Sequence, residues 1–205
     1  MAVKATTLEV CNIIGLVDMS GSMGEADAPN NLTRWKYAEE FFKSFVDAVA
    51  PFDDDGMDFA FFNNTLQPVE KVTPASFREE WNKRSPVAGT SLAPALEWAL
   101  KLHFDRKAQG EGKSTLIVVL TDGEPQDRSQ VPAVIINASQ KLDRDEELAI
   151  LFLQVGHDGQ ATAFLAALDD DLQGKGAKYD IVDTKNVEDV ATLSIAQLVE
   201  AAFND

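Results

Sequence analysis

The 205-residue sequence holds one cysteine, Cys11, and two histidines. A lone cysteine cannot form an internal disulfide, and its place in an apolar run points to a buried free thiol, which suits a reducing compartment. Long hydrophobic runs are missing as well. No stretch approaches the roughly 18 apolar residues of a membrane-crossing helix. The N-terminus "MAVKATTLEV" lacks the apolar core of a signal peptide. Positive charge is scarce, with 18 Lys and Arg against 34 Asp and Glu, a formal net charge of −16. Such a surface repels phosphate backbones and anionic lipid, which argues against nucleic acid and membrane as partners and favours cations or basic proteins. These features predict a soluble cytoplasmic protein. There is no internal repeat, low-complexity segment or linker, so a single domain over 8–205 is expected after a short tail, 1–7, with length enough for a real core.

What is present alternates regularly. Residues 8–17, nearly all apolar and β-branched in the middle, read as a strand covered on both faces. Residues 32–50 follow a helical period, with Trp35, Ala38, Phe42, Phe45 and Val49 on one stripe and Pro51 as the stop. "MDFAFF" (57–62) is a strand, followed by a turn and a short edge strand that tolerates Pro68. A short helix is predicted over 74–84, and a longer one over 90–104 with Pro94 in its first turn. Residues 114–122 form the clearest buried strand. A helix at 130–142, a strand at 148–156, a helix at 160–168, a strand at 179–183 and a closing amphipathic helix at 187–203 complete the pattern. Strand and helix in alternation predict an α/β fold: a doubly wound, mostly parallel sheet with helices on both faces and one antiparallel edge strand.

In such sheets, sites form beyond the carboxyl ends of the strands. The first strand ends in "DMSGS", which places Asp18, Ser20 and Ser22 in five residues. The central strand ends in "TDGEPQD" with Asp122, and the loop "SPVAGTS" brings Thr90 to the same rim. Two carboxylates and three hydroxyls are hard oxygen donors, suited to Mg²⁺ or Mn²⁺ and less so to Ca²⁺. So few charged ligands leave a coordination position open. Gly21, Gly89 and Gly123 are expected to supply the sharp turns between them. Asp and Ser after a strand are also common helix caps, and "TDG" alone is a common strand-to-turn sequence. The ordered combination at matching strand ends favours the metal.

At these residues the chain resembles the von Willebrand factor A family. Its metal-ion-dependent adhesion site reads Asp-x-Ser-x-Ser, then a distant Thr, then a distant Asp. Here Asp18, Ser20, Ser22, Thr90 and Asp122 fill all five positions, and the strand-helix order matches over roughly 8–203. The resemblance is greater to small stand-alone intracellular bacterial members, including those near tellurite-resistance and chemical-stress genes, than to integrin inserted domains. It implies a non-catalytic protein-binding module. Ser20, Ser22 and Thr90 would hold the ion through hydroxyls, Asp18 and Asp122 directly or through water, and a partner's Glu or Asp would complete the shell. A stress-response complex or an ATPase-linked assembly is the implied setting, and residues 187–203 occupy the helix that shifts in related domains. Asp18→Ala or Asp122→Ala is then expected to abolish metal binding and leave the fold intact.

Other readings fare less well. The alternative of another class is a metal-dependent hydrolase, a phosphatase in particular. Haloacid-dehalogenase phosphatases need Asp-x-Asp, however, and the second position here is Ser20. His157 is the one nearby candidate for a general base, and a poor one. No G-x-x-x-x-G-K-[ST] loop, G-x-G-x-x-G or G-x-S-x-G motif occurs. "DDDGMD" (53–58) fails EF-hand spacing. The acidic clusters 53–55, 143–147 and 169–171 precede strands, which puts them on the opposite rim as a solvated face or, less favoured, a dock for a basic partner. His103 is expected to be surface or structural, Trp35 and Trp98 to join core stripes, and Trp81 to be partly exposed. Glu25, Asp27 and Glu124, close to the ligand loops, would repel or select an acidic partner.

Overall fold

The computed structural model describes residues 11–53 and 55–204. Strands β1 (Cys11–Asp18), β2 (Met57–Phe62), β3 (Leu66–Val72), β4 (Ser114–Thr121), β5 (Leu148–Gln154) and β6 (Val182–Asn186) form one sheet in the order β3-β2-β1-β4-β5-β6. β2 and β3 pair antiparallel, and the other neighbouring strands of the sheet pair parallel. The order reverses between β1 and β4, the point at which doubly wound sheets open a crevice. Residues 8–10 of the expected first strand, and the tail 1–7, lie outside the described residues.

Both faces of the sheet are covered, which is why β1, β2, β4 and β5 are apolar on successive residues rather than alternately. On one face, Ile13 and Val17 of β1 pack with α1 (Arg34–Val49), α2 (Phe77–Asn82), α6 (Val187–Val190) and α7 (Ile195–Ala202). On the other, Ile14 and Leu16 pack with α3 (Ala93–Ala108), α4 (Val131–Ser139) and α5 (Gly159–Asp170). Pro94 sits in the first turn of α3. Pro68 lies in the edge strand β3, opposite Ala60. The Cys11 thiol is buried, which pushes its pKa up to about 12. No helix among the described residues is long and apolar enough to cross a membrane.

Four expectations are corrected. The last strand is Val182–Asn186, not 179–183, because the Tyr179 N–H is taken by Ser139 Oγ (2.8 Å) and its hydroxyl donates to the Asp143 carbonyl, which holds Tyr179 in the loop. The closing helix is two helices. Ser194 accepts from the Gln197 N–H while Gln197 Oε1 accepts from the Ser194 N–H, a capping box that starts a new helix after Ala191. Trp81 is fully buried, with its ring 4.5 Å from that of Trp35 and 5.2 Å from that of Phe61. The glycines serve differently from expectation. Gly21 and Gly123 have neither a left-handed backbone nor a close neighbour, whereas a Cβ on Gly89 would lie 2.8 Å from Asn64 and Gln126.

His103 is structural: it is buried, and Nδ1 meets Thr115 Oγ1 at 2.9 Å. The acidic clusters are partly neutralised in place. Lys107 bridges Asp143 and Glu147, Lys175 pairs with Asp171, and Lys71 lies 3.5 Å from Asp55. Asp54 falls outside the described residues.

Candidate metal centre

Parallel pairing of β1 with β4 sets Val17 beside Leu120, so Asp18 and Thr121 leave the sheet together at the carboxyl rim. Asp18 is wholly buried there. Its Oδ1 accepts from the Ser20 N–H (2.7 Å) and its Oδ2 from the Thr121 hydroxyl (2.7 Å). The chain then turns through a short 3-10 segment, Gly21–Gly24, which brings Ser22 Oγ to 3.1 Å from Ser20 Oγ and 3.0 Å from Asp122 Oδ1. Ser20, Ser22 and Asp122 thus form a continuous chain of side-chain oxygens, joined to Asp18 through the Ser20 backbone N–H.

Thr90 arrives from the third loop. That loop is sewn to the rim by backbone hydrogen bonds: Val87 N to Met19 O, Gly21 N to Ala88 O, Ser91 N to Asn63 O and Gln126 N to Thr90 O. Asp127 adds a cap, its two oxygens accepting from the Leu92 and Ala93 N–H groups at the start of α3 (3.0 and 2.9 Å). Thr90 is buried, and its hydroxyl has no hydrogen-bond partner among the described residues. Its oxygen therefore keeps its acceptor capacity, while Ser20, Ser22 and Asp122 are bonded in a chain to one another.

Arg34 is the residue the sequence reading missed. It opens α1 and is buried, with Nη1 donating to Asp122 Oδ2 at 2.9 Å. Nε and Nη2 form a fork on Asp27 (2.7 and 2.6 Å), Nη2 lies 3.0 Å from Glu25 Oε2, and Nη1 reaches the Ser22 carbonyl at 3.4 Å. The backbone of Gly156, at φ +79°, walls in the far side: a Cβ there would sit 2.6 Å from Arg34 Nε. One signal was available, since position 34 falls four residues before Ala38 on the apolar stripe of α1, where a charge needs a buried partner.

Burial, and next the neighbouring charge of Asp122, pushes the Asp18 carboxyl up to about 6. Burial also raises Asp122, outweighing the opposing hydrogen bonds from Arg34 and Ser22. The Arg34 fork holds Asp27 below the ordinary carboxylate range. Two desolvated carboxylates this close want a cation between them. The donor set fits a hard divalent ion: all the atoms are oxygens, and one hydroxyl is uncommitted. Among the described residues there is no group of three or more His, Cys, Asp or Glu that could hold a metal, so the hydroxyls are needed. His157 is exposed beyond β5, and Asp158 beside it caps α5. Glu124 pairs with Arg128.

No protein-family model and no curated protein matches the chain. Solved structures do. The SpRpn10 VWA domain superposes with a TM-score of 0.62 at 12% identity, over 93% of this chain and 94% of that one. Manganese-loaded TRAP protein of Plasmodium vivax gives 0.62 at 16% identity, over 91% of this chain and 72% of that one. Proximal thread matrix protein 1 from the mussel byssus, with a zinc-occupied MIDAS motif, gives 0.56 at 19% identity, over 94% of this chain and 44% of that one. These likenesses, with the sheet order and the helices on both faces, give the chain the fold of a von Willebrand factor A domain.

Proposed function

We propose that the chain is a non-catalytic, metal-dependent protein-binding module, with Asp18, Ser20, Ser22, Thr90 and Asp122 holding Mg²⁺ or Mn²⁺ at the rim. A bound divalent cation would supply an electrophilic centre for a carboxylate oxygen from a partner's Glu or Asp. The observation that carries this reading is the state of the two carboxylates. Both oxygens of Asp18 accept hydrogen bonds, from Ser20 and Thr121, and both oxygens of Asp122 do so, from Ser22 and Arg34. Carboxylates held in this way orient ligands and carry charge. Each of these oxygens keeps a further lone pair, which a divalent cation can take without breaking the hydrogen bonds that aim it.

The manganese of one structural neighbour and the zinc-occupied motif of another support a divalent ion in this fold. The experiment is a pull-down with tagged protein in Mg²⁺, in EDTA and in Mg²⁺ plus excess acetate, beside a phosphate-release screen. The reading expects a partner retained in Mg²⁺ alone and no phosphate release. The identity of the retained partner then tells a stress-response complex from an ATPase-linked assembly. Retention that ignores EDTA, or metal-dependent phosphate release, would contradict the reading.

A further inference from the structure

We infer that Arg34 is a positioning residue for the metal centre, one that trades cation affinity for pull on the incoming carboxylate; this rests on the metal-binding reading above. Arg34 Nη1 occupies Asp122 Oδ2, which leaves Oδ1 as the oxygen turned to Ser22 and the cluster. Asp122 is thus limited to one oxygen toward the ion, and its charge is shared with a guanidinium. The same guanidinium cannot swing away. Asp27 grips it in a fork, Glu25 lies against Nη2, and the Gly156 backbone closes the slot. Arginine cannot be deprotonated at working pH, so the arrangement is fixed in charge as well as in place.

The consequence is electrostatic. A fixed positive charge one carboxylate away from the ion opposes cation binding. It also leaves a bound ion less neutralised by its own ligands, so an added carboxylate gains more. An arginine whose charge was fully cancelled by Asp27 and Glu25 would have neither effect.

The two roles separate in Mn²⁺ titrations of the whole chain. Arg34→Gln removes the charge and frees Asp122 Oδ2. Mn²⁺ binding is expected to tighten by about tenfold, water-proton relaxation to show fewer exchangeable waters on the ion, and acetate to bind the loaded protein more weakly. Arg34→Lys keeps the charge without the fork and is expected to fall between wild type and Arg34→Gln in Mn²⁺ affinity. If Arg34→Gln does not fold, the lysine variant carries the test. Weaker Mn²⁺ binding in either folded variant, or acetate affinity unchanged by Arg34→Gln, would overturn the inference. A wild-type protein that binds no Mn²⁺ would instead overturn the metal-binding reading on which it rests.

Discussion

Arg34 and Asp122, 88 positions apart in sequence, meet in a buried ion pair at 2.9 Å. The pair joins the first helix to the loop after the central strand, and through Asp27 and Ser22 it reaches the loop after the first strand as well. Three segments of the rim are therefore held by one guanidinium. A buried pair of this kind contributes little net stability because desolvation offsets attraction, but removing one partner leaves the other exposed to that cost. Asp122→Ala should accordingly destabilise the metal-free protein by about 3 kcal/mol, measured by urea unfolding, rather than leave the fold untouched as the motif alone suggests. Asp27 and Glu25 keep Arg34 partly paired, which is why the loss stays moderate.

Asp18 behaves in the opposite way. Its charge is buried and close to a second carboxylate, so the ionised form is unfavourable without a cation. Asn at this position keeps an acceptor for the Ser20 N–H and a partner for the Thr121 hydroxyl while removing the charge. Asp18→Asn should raise the melting temperature of the metal-free protein at pH 7.5 by on the order of 5 °C and abolish stabilisation by Mg²⁺. A lower melting temperature would mean that the carboxylate is structural.

The pH dependence follows with its sign. The folded pKa of Asp18, about 6, lies above its ordinary 3.8, so protonation favours the folded state. That contribution is complete below pH 3.8 and is lost as pH rises through 6, a total of about 3 kcal/mol in the metal-free protein. A cation replaces the proton, so Mg²⁺ should stabilise the protein far more at pH 7.5 than at pH 5. Melting curves with and without Mg²⁺ at the two pH values measure this difference; equal increments would count against it.

Gly156 is constrained twice, by a left-handed backbone and by the guanidinium of Arg34 against it. Gly156→Ala should cost about 2 kcal/mol in urea unfolding, more than an alanine at Gly123, where nothing lies within 4 Å. Equal costs would show that the Arg34 slot is loose.

Trp81 anchors the aromatic cluster of Trp35, Phe59, Phe61 and Phe77 under α1 and α2. Trp81→Ala should cost about 3–5 kcal/mol in the same measurement, and Trp81→Phe much less. A cost below 1 kcal/mol, the level expected of a surface site, would mean that the ring is not buried in solution.

The order of strands and helices, the two-sided burial of the sheet and the meeting of Asp18, Ser20, Ser22 and Asp122 were legible because they depend on local period and on the rule that parallel strands share a rim. Trp81 was not, since the six residues of α2 are too few to establish a buried face by period. The break before Ser194 was legible in principle, as Ser194 and Gln197 stand at capping-box spacing. Arg34 was not read because its partners lie on two other loops, and sequence spacing carries no record of a contact that tertiary folding creates. β6 was misplaced because a polar edge strand, "VDTKN", lacks the apolar run that marks the buried strands.

The rim is proposed to bind a divalent cation through these five side chains. Calorimetric titration of EDTA-stripped protein with Mn²⁺ at pH 7.5, beside Ser22→Ala and Thr90→Ala, tests it most directly. A single saturable site is expected in the wild type, weakened at least tenfold in each variant, about 1.4 kcal/mol. Binding of equal strength in all three proteins, or none in the wild type, would contradict it.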